Sequence, residues 1–234
     1  MPTLLLRLVG PMQSWGTTSR FDERDTQLEP SKSGVIGLLC AALGRDRAET
    51  VDDLAALRMG VRVDREGVPM RDFQTAKGLL IATGKVQPDR TVVSPRHYLA
   101  DAAFLVGLEG VEAALLQALH AAVLKPVWPL ALGRKAFAPG CPVAIAEPPF
   151  HGLHPGTLEQ ALQQQPLIAQ ARRTQAGRPL RTAIEHPTQG AQRHDQPTGP
   201  YALRRFGPRL VHPGELTDVP QPLDAGPYAS ACQA

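Results

Sequence analysis

LLLRLVGPMQSWG, residues 4–16, reads as a strand followed by a turn that is unusually rich in chemistry. Leu4, Leu6 and Leu8 alternate with Leu5, Arg7 and Val9, so both faces are apolar and the strand is mostly buried. Gly10-Pro11 breaks it, and Gln13 and Trp15 follow in the turn. A polar stretch, SRFDERDTQLEP (19–30), then delays the next regular element. That element is SKSGVIGLLCAALG, residues 31–44. Ser31 is placed to cap a helix, Val35, Ile36, Leu38, Leu39 and Leu43 give it an apolar face, and Gly44 stops it.

Outward from this pair the same order continues. TVDDLAALR predicts a short helix capped by Thr50. MGVRVD predicts a half-buried strand, Val61 and Val63 inside and Arg62 and Asp64 outside. Residues 67–95 carry Gly67, Pro69, Gly78, Gly84, Pro88 and Pro95 around two short apolar pieces, the pattern of a projecting hairpin arm. RHYLADAAFLVGLEG (96–110) predicts one long strand. VEAALLQALHAAVL predicts a helix with Val111, Leu115, Leu119 and Ala122 on its stripe. A further strand is expected near Pro142–Glu147. Of the 23 prolines, 17 lie in residues 126–234, so the second half must be short strands and loops. Without the arm the order is β-α-β, β-α, β, the ferredoxin-like or RRM-like βαββαβ plan of an α+β protein. The expected division is a core at 1–147, a Pro-rich C-terminal extension with strands at 148–220, and a flexible tail at 221–234.

Bulk properties narrow the class. No apolar run approaches the roughly 18 residues of a membrane span, no secretory leader pattern opens the chain, and a cytoplasmic protein with no membrane partner is expected. Cys40, Cys141 and Cys232 are scattered without a CxxC pair, which argues against a zinc site or disulfide framework. His151 and His154 lack a third ligand at metal spacing, and GxSxG and HExxH are absent. No metal and no cofactor is expected. The net charge is only +3, but it is uneven. Residues 1–66 hold 9 basic and 10 acidic side chains, whereas 67–140 and 166–234 each hold 8 and 5, all the basic ones in the last segment being arginine. Clustered arginine suits paired contacts to phosphate oxygens, and a solvated basic face would have the same composition.

Three pieces are candidates for such contacts. Ser31-Lys32-Ser33-Gly34 fails the Walker A pattern, yet Lys32 and the free N–H groups of the helix start suit a backbone phosphate; an ordinary cap is the alternative. In Leu132-Gly133-Arg134-Lys135 a glycine lets backbone approach a phosphate while two cations neutralise it. Arg96 and Tyr98 share a strand face by period two, a cation beside a ring. Arg96, His97 and Tyr98 also contain the groups a metal-independent ribonuclease needs, though nothing orients a base.

The series resembles the CasD family, the type I-E Cascade subunit of CRISPR systems within the RAMP superfamily. The pieces that carry the resemblance are LLLRLVGPMQSWG, SKSGVIGLLCAALG, MRDFQTA, RHYLADAAFLVGLEG, AVLKPVWPLALGRKAFAP and, more loosely, RHDQP with LRRFGPRLV. They fall in the family's order over most of residues 3–211. The resemblance implies a non-catalytic subunit that caps the 5′ handle of the CRISPR RNA (crRNA). It implies a β-hairpin thumb, here residues 67–95, over that RNA beside the Cascade backbone subunit. It also implies contact with the large subunit that reads the PAM, and so an indirect link to target DNA. In this subtype a separate endoribonuclease cuts the precursor; relatives of another subtype cut with a Tyr, Lys and His set, and His97-Tyr98 here has no adjacent lysine. The RNA contacts expected on this reading are Gln13, Trp15, Arg20, Lys32, Ser33, Arg71, Arg96, Tyr98, Lys125, Gly133, Arg134, Lys135, Arg204 and Arg205. Processing of CRISPR repeat RNA by the chain itself is the alternative.

Overall fold

The structure is a computed structural model and describes residues 1–18, 23–81, 83–168 and 179–221. Its main sheet begins with β1 (Thr3–Val9), whose leucines face two ways. Leu4, Leu6 and Leu8 meet α1 (Lys32–Leu43) and α3 (Ala113–Leu124) on one side, while Leu5 and Val9 meet α4 (Leu158–Gln164) on the other. A strand covered on both faces has no solvent side, which is why the run is almost continuously apolar. β1 pairs antiparallel with β6 (Ala103–Glu109), and β6 pairs antiparallel with β3 (Arg58–Arg65). The two-residue β7 (Leu153–His154) lies on the other edge of β1. Beyond β3 come β8 (Leu180–Glu185), β10 (Phe206–Leu216) and β9 (Ala191–Pro197), giving the order β7-β1-β6-β3-β8-β10-β9.

The helix at 32–43 forms as its caps dictate. Ser31 accepts the Gly34 N–H at 3.4 Å, and Gly44 closes the helix in a left-handed conformation; such an N-cap contributes about 1 kcal/mol. Several expectations shift. The short helix is α2 (Asp52–Ala55), with Val51 at the cap position and no side-chain bond from it, while Thr50 one residue earlier donates its Oγ1 hydroxyl to the Asp52 carboxylate at 2.6 Å and accepts the Asp52 N–H at 3.4 Å. On α3 the buried residues are Leu116, Leu119 and Val123, and Val111 is exposed. Arg62 and Asp64 are fully buried, since α4 and the segment after it cover that face of β3. Near 142–147 there is a single bridge, Leu6 to Ala144, and the edge position is taken by β7.

The long run from Arg96 is two strands in two sheets. Asp101 takes a positive φ of 55° and donates its N–H to the Pro11 carbonyl at 3.1 Å, so the chain turns between β5 (Val86–Ala100) and β6. β5 pairs with β4 (Val68–Leu80) from Val68↔Ala100 to Leu80↔Val86, one long antiparallel hairpin whose outer length is exposed. Prolines 69, 88 and 95 are tolerated because the hairpin has few neighbours to satisfy. It joins the body through β2 (Met12–Gln13), which pairs with Leu99 and Ala100. No helix among the described residues is long and apolar enough to cross a membrane.

Candidate nucleic-acid interface

The loop after β1 is the seat of the hairpin. Gln13 is buried, and its Nε2 donates to the Leu8 and Ala102 carbonyls at 3.1 and 2.8 Å. Its Oε1 accepts from Trp15 Nε1 at 3.2 Å. The indole is 1 % exposed and packs on Gly34 of α1, where an added Cβ would come within 2.8 Å of the ring. Trp15 N–H donates to Thr26 Oγ1 at 2.9 Å, and Gln27 N–H returns to the Trp15 carbonyl at 3.1 Å. The expected RNA contacts of Gln13 and Trp15 are therefore corrected: both side chains are spent inside, holding the loop to the strand and helix that flank it.

The same holds for Lys32. Its Nζ lies 2.9 Å from Glu185 of β8 with the side chain 1 % exposed, and its backbone N–H donates to Asp195 of β9 at 2.7 Å. Asp195 in turn holds Arg209 at 2.6 Å. The helix start that was expected to meet a phosphate is thus already occupied by a carboxylate of the chain's own C-terminal half. Burial pulls the Lys32 ammonium below the ordinary lysine range, and Glu185 opposes that fall. Ser33 is half-buried, and its carbonyl accepts from the Tyr201 hydroxyl.

A different set of cations converges at the hairpin base. Arg24 and Arg96 form a parallel bridge: Arg24 N–H donates to the Pro95 carbonyl at 3.0 Å, and His97 N–H to the Arg24 carbonyl at 2.8 Å. Arg134 Nη2 donates to both the His97 carbonyl, at 2.8 Å, and the Arg24 carbonyl, at 3.2 Å. Its guanidinium lies 5.4 Å from the centroid of the Phe137 ring, which tilts against Tyr98 at 5.9 Å. Burial, and then the charges of Arg96 and Arg24, lower the Arg134 pKa, while Asp25 and Asp72 oppose this. Asp25 already accepts from Thr17 and Thr18, and Asp72 from the Phe73 N–H. Arg96 Nε is buried with no hydrogen-bond partner among the described residues. The result is a cluster of three guanidinium groups with Asp25 and Asp72 beside it, next to an exposed hairpin, and the guanidinium groups suit an oxyanion.

Gly133 serves this site, though in another way than expected. At φ 93° its backbone passes so close to Ser14 that a Cβ would stand 1.7 Å from the Ser14 carbonyl oxygen. Ser14 N–H donates to the Leu132 carbonyl at 3.0 Å. The glycine lets two protein loops touch, and Arg134 and Lys135 are carried on that contact.

The other expected contacts are dispersed. Lys135 is exposed beside Arg134. Arg71 is exposed on β4 over Phe73, in register with His97. Tyr98 is partly buried against the core. Lys125 is exposed at the end of α3. Arg204 and Arg205 are exposed before β10, next to the loop of Arg47, whose carbonyl accepts from Ala202. Arg20 lies outside the described residues, as does 222–234 of the expected tail. The sequence reading missed Arg24, which sits among acidic neighbours in SRFDERDTQ; only its bridge to Arg96 brings it into the site. His154 is buried between Gln164 and the Gly156 N–H, and no group of three or more metal-ligating side chains occurs among the described residues.

The chain is a mixed α+β fold of mostly antiparallel sheets, and solved structures of CRISPR-associated proteins share it. It superposes on a structure described as a Cas protein with a TM-score of 0.76 and 46% identity, covering 94% of this chain and 98% of the other. It superposes equally on a chain of a structure described as a CRISPR RNA-guided surveillance complex, with a TM-score of 0.73, 32% identity and coverage of 99% and 98%. The chain belongs to the CRISPR-associated protein (Cas_Cas5) family, whose model matches residues 3–212, and within it to the CasD type of Cascade subunit. It is 35% identical over 179 residues to the CRISPR system Cascade subunit CasD of Escherichia coli (strain K12), 70% of this chain and 75% of that protein.

Proposed function

We propose that this chain is a non-catalytic RNA-binding subunit of a type I-E Cascade that caps the 5′ handle of the crRNA. On this reading it joins the backbone subunit to the large PAM-reading subunit, and so meets target DNA indirectly, in the cytoplasm and without a cofactor. The observation that carries the reading is the convergence of Arg24, Arg96 and Arg134 at the base of the hairpin. RNA ends are gripped by cations on the backbone and by surfaces beside them for splayed bases, and the exposed hairpin next to this cluster offers such a surface. The hairpin is the thumb. The edge order β7-β1-β6-β3 with α1 and α3 on one face supports a ferredoxin-like core. Residues 1–147 are read as that core with its thumb, and 148–220 as an extension packed on it that also lends the edge strand β7.

Geometry favours binding over cutting. Strand alternation puts His97 on the opposite face of β5 from Arg96 and Tyr98, so the three do not converge on one phosphate. Glu23 lies 3.6 Å from the His97 ring. The test is to mix the purified protein with labelled CRISPR repeat RNA in EDTA and run native and denaturing gels side by side. A shift with intact RNA is expected; specific cleavage, lost in His97→Ala, would establish the endoribonuclease alternative.

A further inference from the structure

We propose that Arg134 is a positioning residue for the hairpin: it pins the hairpin base to the loop of Gly133 through the His97 and Arg24 carbonyls, and a nucleic-acid phosphate bound among Arg24, Arg96 and Arg134 tightens that pin. Occupancy of the anion site then sets the direction of the hairpin. The inference rests on the nucleic-acid reading above.

The geometry is specific. One nitrogen of Arg134, Nη2, serves both carbonyls. Those carbonyls belong to the two segments that meet at the junction, β5 at His97 and the loop at Arg24. The loop carrying Arg134 is itself fixed to Ser14 by the close approach of Gly133. The hairpin is thereby tied to the body at a point where three like charges stand together. In the free protein their repulsion, offset in part by Asp25 and Asp72, works against the tie; a phosphate among them removes what is left of it. The remaining guanidinium nitrogens of Arg134 make no hydrogen bond among the described residues, so the side chain can hold the carbonyls and meet an oxyanion at once. A lysine keeps the charge but has no planar fork to divide between them.

Amide hydrogen exchange on the full chain, with and without a short single-stranded RNA, tests this. In the parent protein, RNA is expected to slow exchange at the Arg24 and His97 N–H groups about tenfold. In Arg134→Lys these amides should exchange about tenfold faster even without RNA, and the gain on adding saturating RNA should vanish. Lys135→Ala, which removes an exposed charge without touching the pin, should weaken RNA binding yet keep the full gain. Unchanged exchange of the free Arg134→Lys protein, or the same RNA-dependent gain as in the parent, would overturn the inference while leaving RNA binding intact. Failure of the parent protein to bind RNA would instead overturn the functional reading.

Discussion

Gly133 and Ser14 are in backbone contact: a methyl group on Gly133 would stand 1.7 Å from the Ser14 carbonyl oxygen. The left-handed φ of 93° alone costs a non-glycine residue about 1–2 kcal/mol, and here the overlap is with backbone that cannot rotate away. Gly133→Ala should therefore lower the melting temperature by at least about 3 °C, on a scale of roughly 2–4 °C per kcal/mol for a chain of this size. It should also weaken RNA binding, because Arg134 rides on the displaced loop. Thermal denaturation alongside a native gel checks both; an unchanged Tm would show that the two loops are free to part.

Lys32 separates charge from function. Its partner Glu185 stands 153 residues away and keeps the ammonium out of solvent. Lys32→Ala should cost about 3 kcal/mol, the lower end for breaking a buried pair, since Glu185 retains partial exposure and Arg209 at 3.8 Å. RNA affinity per folded molecule should not change. Urea denaturation and a binding titration separate the two effects, and a loss of affinity without loss of stability would restore Lys32 as a phosphate ligand.

Lys135 should behave oppositely. It is exposed, so Lys135→Ala leaves stability intact. For a single-stranded ligand, each phosphate contact contributes about 0.7 to the slope of log K against log salt. The slope of the variant should fall by that amount, and a slope identical to the parent's would place Lys135 outside the interface.

Acid should loosen the C-terminal strands first. Burial pushes the Glu29 carboxyl up, but Arg181 and Arg193 together bring it below 4.5. Burial likewise raises Asp195, and Arg209 with the Lys32 N–H holds it below 3.8. Carboxyls depressed by folding contribute stability that is complete above their unfolded values. That stability is lost as pH falls through their lower folded values. Tm followed downward from neutral pH should thus fall steeply below 4.5, and Glu29→Gln should flatten part of that fall. Equal pH profiles for the parent and the variant would count against it.

Arg62 and Asp64 form a fully buried pair at 2.6 Å, and Arg62 also donates to the carbonyls of Leu162, Gln165 and Pro166 at the end of α4. Asp64→Ala leaves that charge without its carboxylate and should cost about 3–5 kcal/mol by urea denaturation. A loss below about 1 kcal/mol would mean that the carbonyls alone suffice to hold the guanidinium.

The buried strand β1, the caps of α1 and the projecting hairpin were legible in the sequence, whereas the short β2 and the turn at Asp101 that divides 96–110 between two sheets were not. Each of the first three depends on residues a few positions apart: the double alternation of Leu4 to Val9, Ser31 before an apolar helix, the proline and glycine punctuation of 67–95. Which polar residues remain available to a ligand was decided only in three dimensions. Lys32 meets Glu185, Arg62 is covered by α4, Trp15 fills the space above Gly34, and a backbone bridge to Arg96 brings Arg24 beside Arg134. The physical reason is that desolvation and charge pairing are set by neighbours far along the chain, and no local period or motif records them.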